Sequence, residues 1–207
     1  MNIELKETFL SLASQFKKDQ LLTNKLWDEI SSMYSDKSRH YHTLVHLFNL
    51  ISNLKKVKHD IHDWETVLFA VFYHDIIYKS IGHSNEEESA EHAKLRLTEL
   101  AFPKDRINNC ASMIIATKGH TKTGDKDTDY FTDADLSILG QSWDVYLEYT
   151  KQIRLEYSIY PTLIYNPGRK KVLNSYLKME RIFKTKYFFD KFEKQAIENM
   201  TIELNSL

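Results

Sequence analysis

The chain has 207 residues, of which 42% are hydrophobic, and its 28 Lys and Arg residues nearly balance 29 Asp and Glu residues for a formal charge of −1. This balance gives no electrostatic reason to expect nucleic acid or an anionic membrane as a partner. The longest apolar run, VLFAVFY, is far too short to cross a membrane, and the single cysteine excludes an internal disulfide. We therefore expect a soluble, cytoplasmic protein with one core.

Apolar residues recur every three or four positions through most of the chain, which has only five Gly and three Pro. This pattern predicts an all-α protein. It places a first helix at residues 5–16 and a second at 22–33. A third helix is expected from about Tyr41, with His42 and His46 on one face because they lie four residues apart.

The segment KHDIHDWETVLFAVFYHD contains three His-Asp dipeptides. The first two lie among lysines and polar residues, where we expect a solvated turn and a helix N-cap from Asp63. The third, His74-Asp75, lies at the C-terminal end of the apolar helix that is predicted to begin after Asp63. A carboxylate at the edge of a core is costly unless a basic side chain or a cation compensates it, so we expect one of the two beside Asp75.

The second half of the chain is also predicted to be helical, with one long interruption. Ser84 and Glu87 have the spacing of a capping box that opens a helix ending near Pro103, and another helix follows at 107–115. The polar segment KGHTKTGDKDTDYFT predicts a long loop. Three further helices are expected at about 143–160, 168–183 and 190–205, with a break at the two prolines of YPTLIYNPG.

A metal site built on His74 and Asp75 needs ligands from elsewhere in the chain. His46 offers a second imidazole, and the segment DADLSILG offers a carboxylate from either Asp133 or Asp135. Two imidazoles and two carboxylates favour Mn, Fe, Mg, Zn or Ni over a structural zinc bound by thiolates. A helical bundle can bring such distant ligands together.

The ordered segments RHYHTLVH, YHDIIY, NEEESA, IIATKGH, DADLSILG and IRLEY resemble the HD superfamily of metal-dependent phosphohydrolases, in particular its small predicted members. The resemblance implies a single-domain helical bundle of the HD and phosphodiesterase type over residues 1–207. Its metal-site core would be at about 39–157, and C-terminal helices at 168–207 would pack on that core.

The resemblance also implies roles for individual residues. The ligands of one or two divalent ions would be His46, His74, Asp75 and Asp135. Asp75 would bridge to the second ion, and His42 would protonate the leaving oxygen. His120 would lie near the second ion or the phosphate, while Arg39 and Lys118 are candidates to hold phosphate oxygens.

These residues together predict a phosphohydrolase that cleaves a small phosphate ester, with nucleotides among the candidates, by attack of a metal-bound hydroxide. Neither nucleic acid nor a membrane is expected as a partner. His83 and His92 are expected to take no part. Two alternatives stay open: a di-iron oxygenase of the same fold, which would need additional His ligands, and a module that binds a metal or ligand without turnover.

Overall fold

In a computed structural model, which describes residues 2–82 and 84–207, the described chain forms ten α-helices and two short 3-10 turns and contains no strand. The predicted all-α class is therefore confirmed. His83 lies outside the described residues. The chain divides into two compact units, one ending at Thr132 and the other running from Asp133 to Leu207. The single-domain arrangement stays a prediction.

The helices follow in the order α1 (Asn2–Ser14), α2 (Gln20–Met33), α3 (Leu44–Lys55), α4 (Trp64–Tyr73), α5 (Asn85–Glu99), α6 (Lys104–Ala116), α7 (Lys126–Leu136), α8 (Trp143–Glu156), α9 (Thr162–Leu177) and α10 (Lys186–Ser206). The first six belong to the first unit and the last three to the second, while α7 contains the boundary. None of the described helices combines the length and apolarity that crossing a bilayer requires.

Helix α4 forms the core of the first unit. Every side chain from Thr66 to Tyr73 is buried, because the helix packs against α3, α5 and α6. Its N-terminus is capped as predicted, with a carboxylate oxygen of Asp63 accepting the N–H of Thr66 at 3.1 Å. The helix ends at Tyr73, so the next residue, His74, is carried into the core and is only 1% exposed.

Helix α3 begins later than the sequence predicts. Its N-cap is Thr43, whose hydroxyl accepts the N–H of Val45 at 3.3 Å. The prediction that His42 lies on this helix is therefore wrong, since the residue precedes the cap. His46 lies in the first turn and is buried.

The prediction of a long loop at KGHTKTGDKDTDYFT is wrong for its second half, where α7 begins at Lys126, whereas residues 118–125 form no helix. Asp125 accepts the N–H of Thr128 at 2.9 Å and so supports the first turn. Asp127 is buried, and its carboxylate accepts the backbone N–H groups of His62 at 2.8 Å and Asp63 at 2.6 Å. Hydrogen bonds thus allow polar residues in a buried helix, which an apolar period does not reveal.

In the second unit, α9 runs through the predicted break at Pro167 and Gly168. Pro161 is the N-cap, and Pro167 lies on the exposed face of the helix. The opposite face buries Leu173 and Arg169, whose Nε donates to Glu203 at 2.7 Å. This packing compensates for the backbone hydrogen bond that the internal proline cannot make.

Candidate metal centre

Two imidazoles and a carboxylate converge where α4 ends. The Nε2 atom of His74 lies 3.1 Å from Nε2 of His46 and 3.0 Å from Oδ2 of Asp75. The remaining distance, from His46 Nε2 to Asp75 Oδ2, is 3.9 Å. Both imidazoles are buried, whereas the side chain of Asp75 is 18% exposed. Among the described residues, these three form the group whose metal-ligating atoms lie within 4.8 Å of one another.

The backbone fixes the orientation of the His74 ring. Its Nδ1 atom lies 2.9 Å from the carbonyl oxygen of Val71. A carbonyl can only accept, so Nδ1 carries the proton and the lone pair of the neutral ring is on Nε2. That lone pair faces His46 and the carboxylate of Asp75. A proton on Nε2 of His46 would let that atom donate to His74, whereas a shared cation would compensate both the lone pair and the carboxylate of Asp75.

The spacing of these atoms fits a divalent ion. Ligand atoms bound at about 2.1 Å and at right angles lie about 3 Å apart. Nε2 of His74 has this separation from both of its neighbours. A hydrogen bond from the second ring nitrogen to a backbone carbonyl is also the usual way in which a metal-binding imidazole is oriented. Imidazole and carboxylate ligands together suit the transition metals predicted from the sequence.

The backbone of Asp75 is held on both sides. Its N–H donates to the hydroxyl of Tyr34 at 3.2 Å, and its carbonyl accepts from Nη1 of Arg39 at 2.7 Å. Nη2 of Arg39 donates to the carbonyl of Ile76 at 2.9 Å. The Arg39 side chain is buried beside Tyr34, with the guanidinium carbon 4.7 Å from the ring centroid. This placement favours support of the site over the phosphate contact predicted for Arg39.

Helix α5 fixes the segment that follows. The hydroxyl of Ser89 accepts the N–H of Ile77 at 3.1 Å and donates to the carbonyl of Ile77 at 3.2 Å. The amide side chain of Asn85 forms the same kind of pair with Lys79, at 3.1 and 2.9 Å. Sequence reasoning missed both residues. Their four-residue spacing, which puts them on one face of a helix, is the signal that could have found them.

His42 lies at the edge of the cluster, close to solvent. Its Nε2 atom is 3.9 Å from Oδ2 of Asp75, and its side chain is partly exposed. The ring stacks on Tyr78, with centroids 4.2 Å apart and planes inclined by 29°. Tyr78 is a third residue that sequence reasoning missed, because its contact with His42 joins two segments that no local pattern relates.

The residues predicted around the phosphate lie at the end of α6. Nζ of Lys118 donates to the carboxylate of Glu87, and this hydrogen bond raises the pKa of the exposed lysine. The same Glu87 was predicted to form a capping box with Ser84, but this capping box does not form, since the Ser84 side chain accepts no helix N–H. His120 is buried and has a left-handed backbone (φ 48°) four residues beyond the last residue of α6, and its N–H donates to the carbonyl of Ala116 at 3.0 Å. The phosphate roles of Lys118 and His120 stay predictions.

The second unit distinguishes the two carboxylates of DADLSILG. Asp133 is fully buried, and its carboxylate accepts the N–H groups of Lys184 at 3.0 Å and Thr185 at 2.7 Å. It also accepts from the Thr185 hydroxyl at 2.7 Å and lies 3.1 Å from Nζ of Lys184. These partners satisfy Asp133 structurally. Asp135, which is half-buried, is therefore the better candidate. Its binding to the same ion as His46 stays a prediction.

Comparison with known proteins adds no relative: no protein-family model, no curated protein and no solved structure matches this chain. The resemblance to the HD superfamily therefore rests on the motifs of the sequence.

Proposed function

We propose that this protein is a metal-dependent phosphohydrolase that cleaves a small phosphate ester, with nucleotides among the candidate substrates. The observation that carries the proposal is the convergence of His46, His74 and Asp75 within the first unit. The order of these three residues and Asp135 along the chain is also the order of the ligands in the HD superfamily, which the motifs resemble. We expect one or two divalent ions of Mn, Fe, Mg, Zn or Ni.

An ion held by these residues would lower the pKa of a bound water towards neutrality and balance charge on the phosphate. The chain itself keeps the ligand atoms in place before substrate arrives. Val71 fixes the ring of His74, while Tyr34 and Arg39 fix the backbone of Asp75. Such preorganisation reduces the rearrangement needed during the reaction.

His42 is proposed to supply the proton that the leaving oxygen requires. An imidazole can transfer a proton near neutral pH, and such transfer typically contributes about 10²- to 10⁴-fold to a rate. Stacking on Tyr78 fixes the plane of the ring, and partial exposure allows it to recover a proton from solvent. Lys118 and His120 are proposed to balance charge on the phosphoryl oxygens.

The proposal is tested by metal analysis and a substrate screen. Protein purified without chelators is analysed for metals, reconstituted with each candidate ion, and assayed for phosphate release from a panel of phosphate monoesters and nucleotides. We expect His42→Gln to keep its metal but to lose about 100-fold or more in kcat, because only the proton donor is removed. His59→Gln, in an exposed turn, is the matched control and should keep full activity.

Other outcomes would point to other functions. Failure to bind any ion after reconstitution, or unchanged activity in His74→Ala, would exclude the proposed hydrolase. Bound iron with oxygen consumption and without phosphate release would support the oxygenase. Stabilisation by a phosphorylated ligand without product formation would support the binding module.

A further inference from the structure

We propose that Arg39 is a positioning residue, whose guanidinium links the backbone at His42 to the backbone at Asp75 and so sets the proton donor against the metal ligand. This inference rests on the proposed function. It also gives Arg39 a different role from the phosphate contact that the sequence suggests.

One nitrogen of the guanidinium joins the two functional segments. Nη1 donates to the carbonyl of Asp75 at 2.7 Å and to the carbonyl of His42 at 3.2 Å. Nη2 extends the contact to the carbonyl of Ile76 at 2.9 Å. The carbonyls lie on segments that are distant in the sequence. A shift of Arg39 would therefore change the separation of His42 Nε2 and Asp75 Oδ2, which is 3.9 Å.

Two tyrosine rings flank the guanidinium, and each also contacts one of the functional residues. Tyr34 lies 4.7 Å from the guanidinium carbon and accepts the N–H of Asp75 through its hydroxyl. Tyr78 lies 5.5 Å from it and stacks on the ring of His42. Arg39 therefore packs against both tyrosines, one of which contacts Asp75 and the other His42. A lysine cannot replace it, because its ammonium lacks the planar fork that reaches several acceptors at once.

A positioning role and a phosphate contact make opposite kinetic predictions. A residue that binds substrate phosphate would mainly change KM when it is replaced, whereas a residue that orients a ligand and a proton donor would mainly change kcat. Arg39 is 7% exposed, and both Nη atoms donate to backbone carbonyls. Its placement therefore predicts an effect on kcat.

Arg106 provides a matched control at the opposite end of α4. Its Nε donates to the carboxylate of Asp63 at 2.8 Å, and its guanidinium carbon lies 4.5 Å from the ring of Phe102. Both arginines thus support one end of the same helix and pack against aromatic rings. In the part of the chain that the structure describes, however, the candidate metal-ligand atoms converge at the end that Arg39 supports.

The experiment compares Arg39→Lys with Arg106→Lys after reconstitution with Co²⁺, whose visible absorption reports ligand geometry. We expect Arg39→Lys to bind Co²⁺ with a changed spectrum and to lose about 10- to 100-fold in kcat, as when groups that orient metal ligands are removed. Its KM should change little. Arg106→Lys should keep the wild-type spectrum and kcat. If Arg39→Lys does not fold, Tyr34→Phe tests the same assembly and should change the spectrum and kcat in the same directions.

An unchanged Co²⁺ spectrum in the folded variant, or an effect confined to KM, would overturn the positioning role of Arg39. Equal effects in the two arginine variants would also overturn it, because they would indicate a general loss of stability. If the wild-type protein binds no Co²⁺, the proposed function fails first, and the inference falls with it.

Discussion

The two ends of α4 carry the same dipeptide but differ in chemistry. At the N-terminal end, the carboxylate of Asp63 accepts hydrogen bonds from Thr66 and from Arg106, so donors surround it. At the C-terminal end, the carboxylate of Asp75 lies 3.0 Å from an imidazole nitrogen of His74 that carries a lone pair in the neutral ring. One end is therefore a completed structural cap, while the other has the composition of a cation site.

The helix dipole strengthens this contrast. A carboxylate at a helix N-terminus is stabilised by the partial positive charge there, whereas one at the C-terminus meets partial negative charge, an effect of about 0.3–1 kcal/mol. Asp63 thus occupies the favourable end and Asp75 the unfavourable one. The arginines differ accordingly, since Arg106 binds the carboxylate and the Nη atoms of Arg39 bind backbone carbonyls. The same dipeptide therefore has two environments, and the surroundings of the aspartate, rather than its neighbour in the sequence, make Asp75 the candidate cation ligand.

The largest expected difference between the two ends is in metal affinity. His74→Ala removes one of the three candidate ligands and should weaken binding of Zn²⁺ or Mn²⁺ by at least about 100-fold, more than the loss of a supporting residue. His62→Ala changes the equivalent histidine at the other end, whose side chain is exposed, and should leave affinity unchanged. Competition titration with a chromophoric chelator measures both. Equal affinities in the two variants would remove the distinction between the ends.

Stability should depend more on the N-terminal end of α4 than on the C-terminal end. Asp63→Ala removes a helix cap and one of the two carboxylates that bind Arg106, so the free energy of unfolding should fall by about 2–3 kcal/mol. Asp75→Ala in metal-free protein should change it by less than about 1 kcal/mol, because its carboxylate lies at the unfavourable end of the dipole. Urea unfolding of both variants tests this. A larger loss in Asp75→Ala would mean that Asp75 is the more important structural acid.

The smallest expected effect is a dependence on pH at the N-terminal end. Burial raises the pKa of Asp63, but hydrogen bonds from Arg106 and Thr66 outweigh it, and the pKa lies below its usual value. The stabilisation is therefore complete above the unfolded-state pKa of about 4 and is lost as the pH falls through the folded-state pKa. Between about pH 6 and pH 2.5, the free energy of unfolding measured in urea should fall less in Asp63→Ala than in the wild-type protein. If the unfolding free energies of the two proteins fell equally with pH, Asp63 would not be the source of this dependence.

The sequence predicted the ends of α4 because local patterns determine them. A run of apolar residues requires burial, an aspartate before it forms a cap, and the pair after it is carried to the core edge with His74. His46 was a candidate partner from the residues alone, because it offers a second imidazole, and the resemblance to the HD superfamily implied the same ligand. These features depend on short stretches of chain.

Other features of the site depend on tertiary structure and could not be predicted in this way. The binding of Arg39 to carbonyls and the stacking of Tyr78 on His42 arise where separate segments meet. Asp127 was assigned to a loop because it is polar, yet its hydrogen bonds allow it to be buried. Apolar periodicity predicts which hydrophobic residues are buried, but it does not predict which polar side chains are buried with hydrogen-bond partners.

The backbone of His74 also limits how an ion could enter and leave. Its N–H donates to the carbonyl of Ala70 at 2.9 Å, so this candidate ligand belongs to the last hydrogen-bonded turn of a helix buried from Thr66 to Tyr73. Fraying of that turn would expose core side chains and requires a large fraction of the unfolding free energy. The side chain of Asp75 is the most accessible of the three candidate ligands. Exchange of the ion should therefore proceed past this carboxylate, at a rate independent of local helix opening.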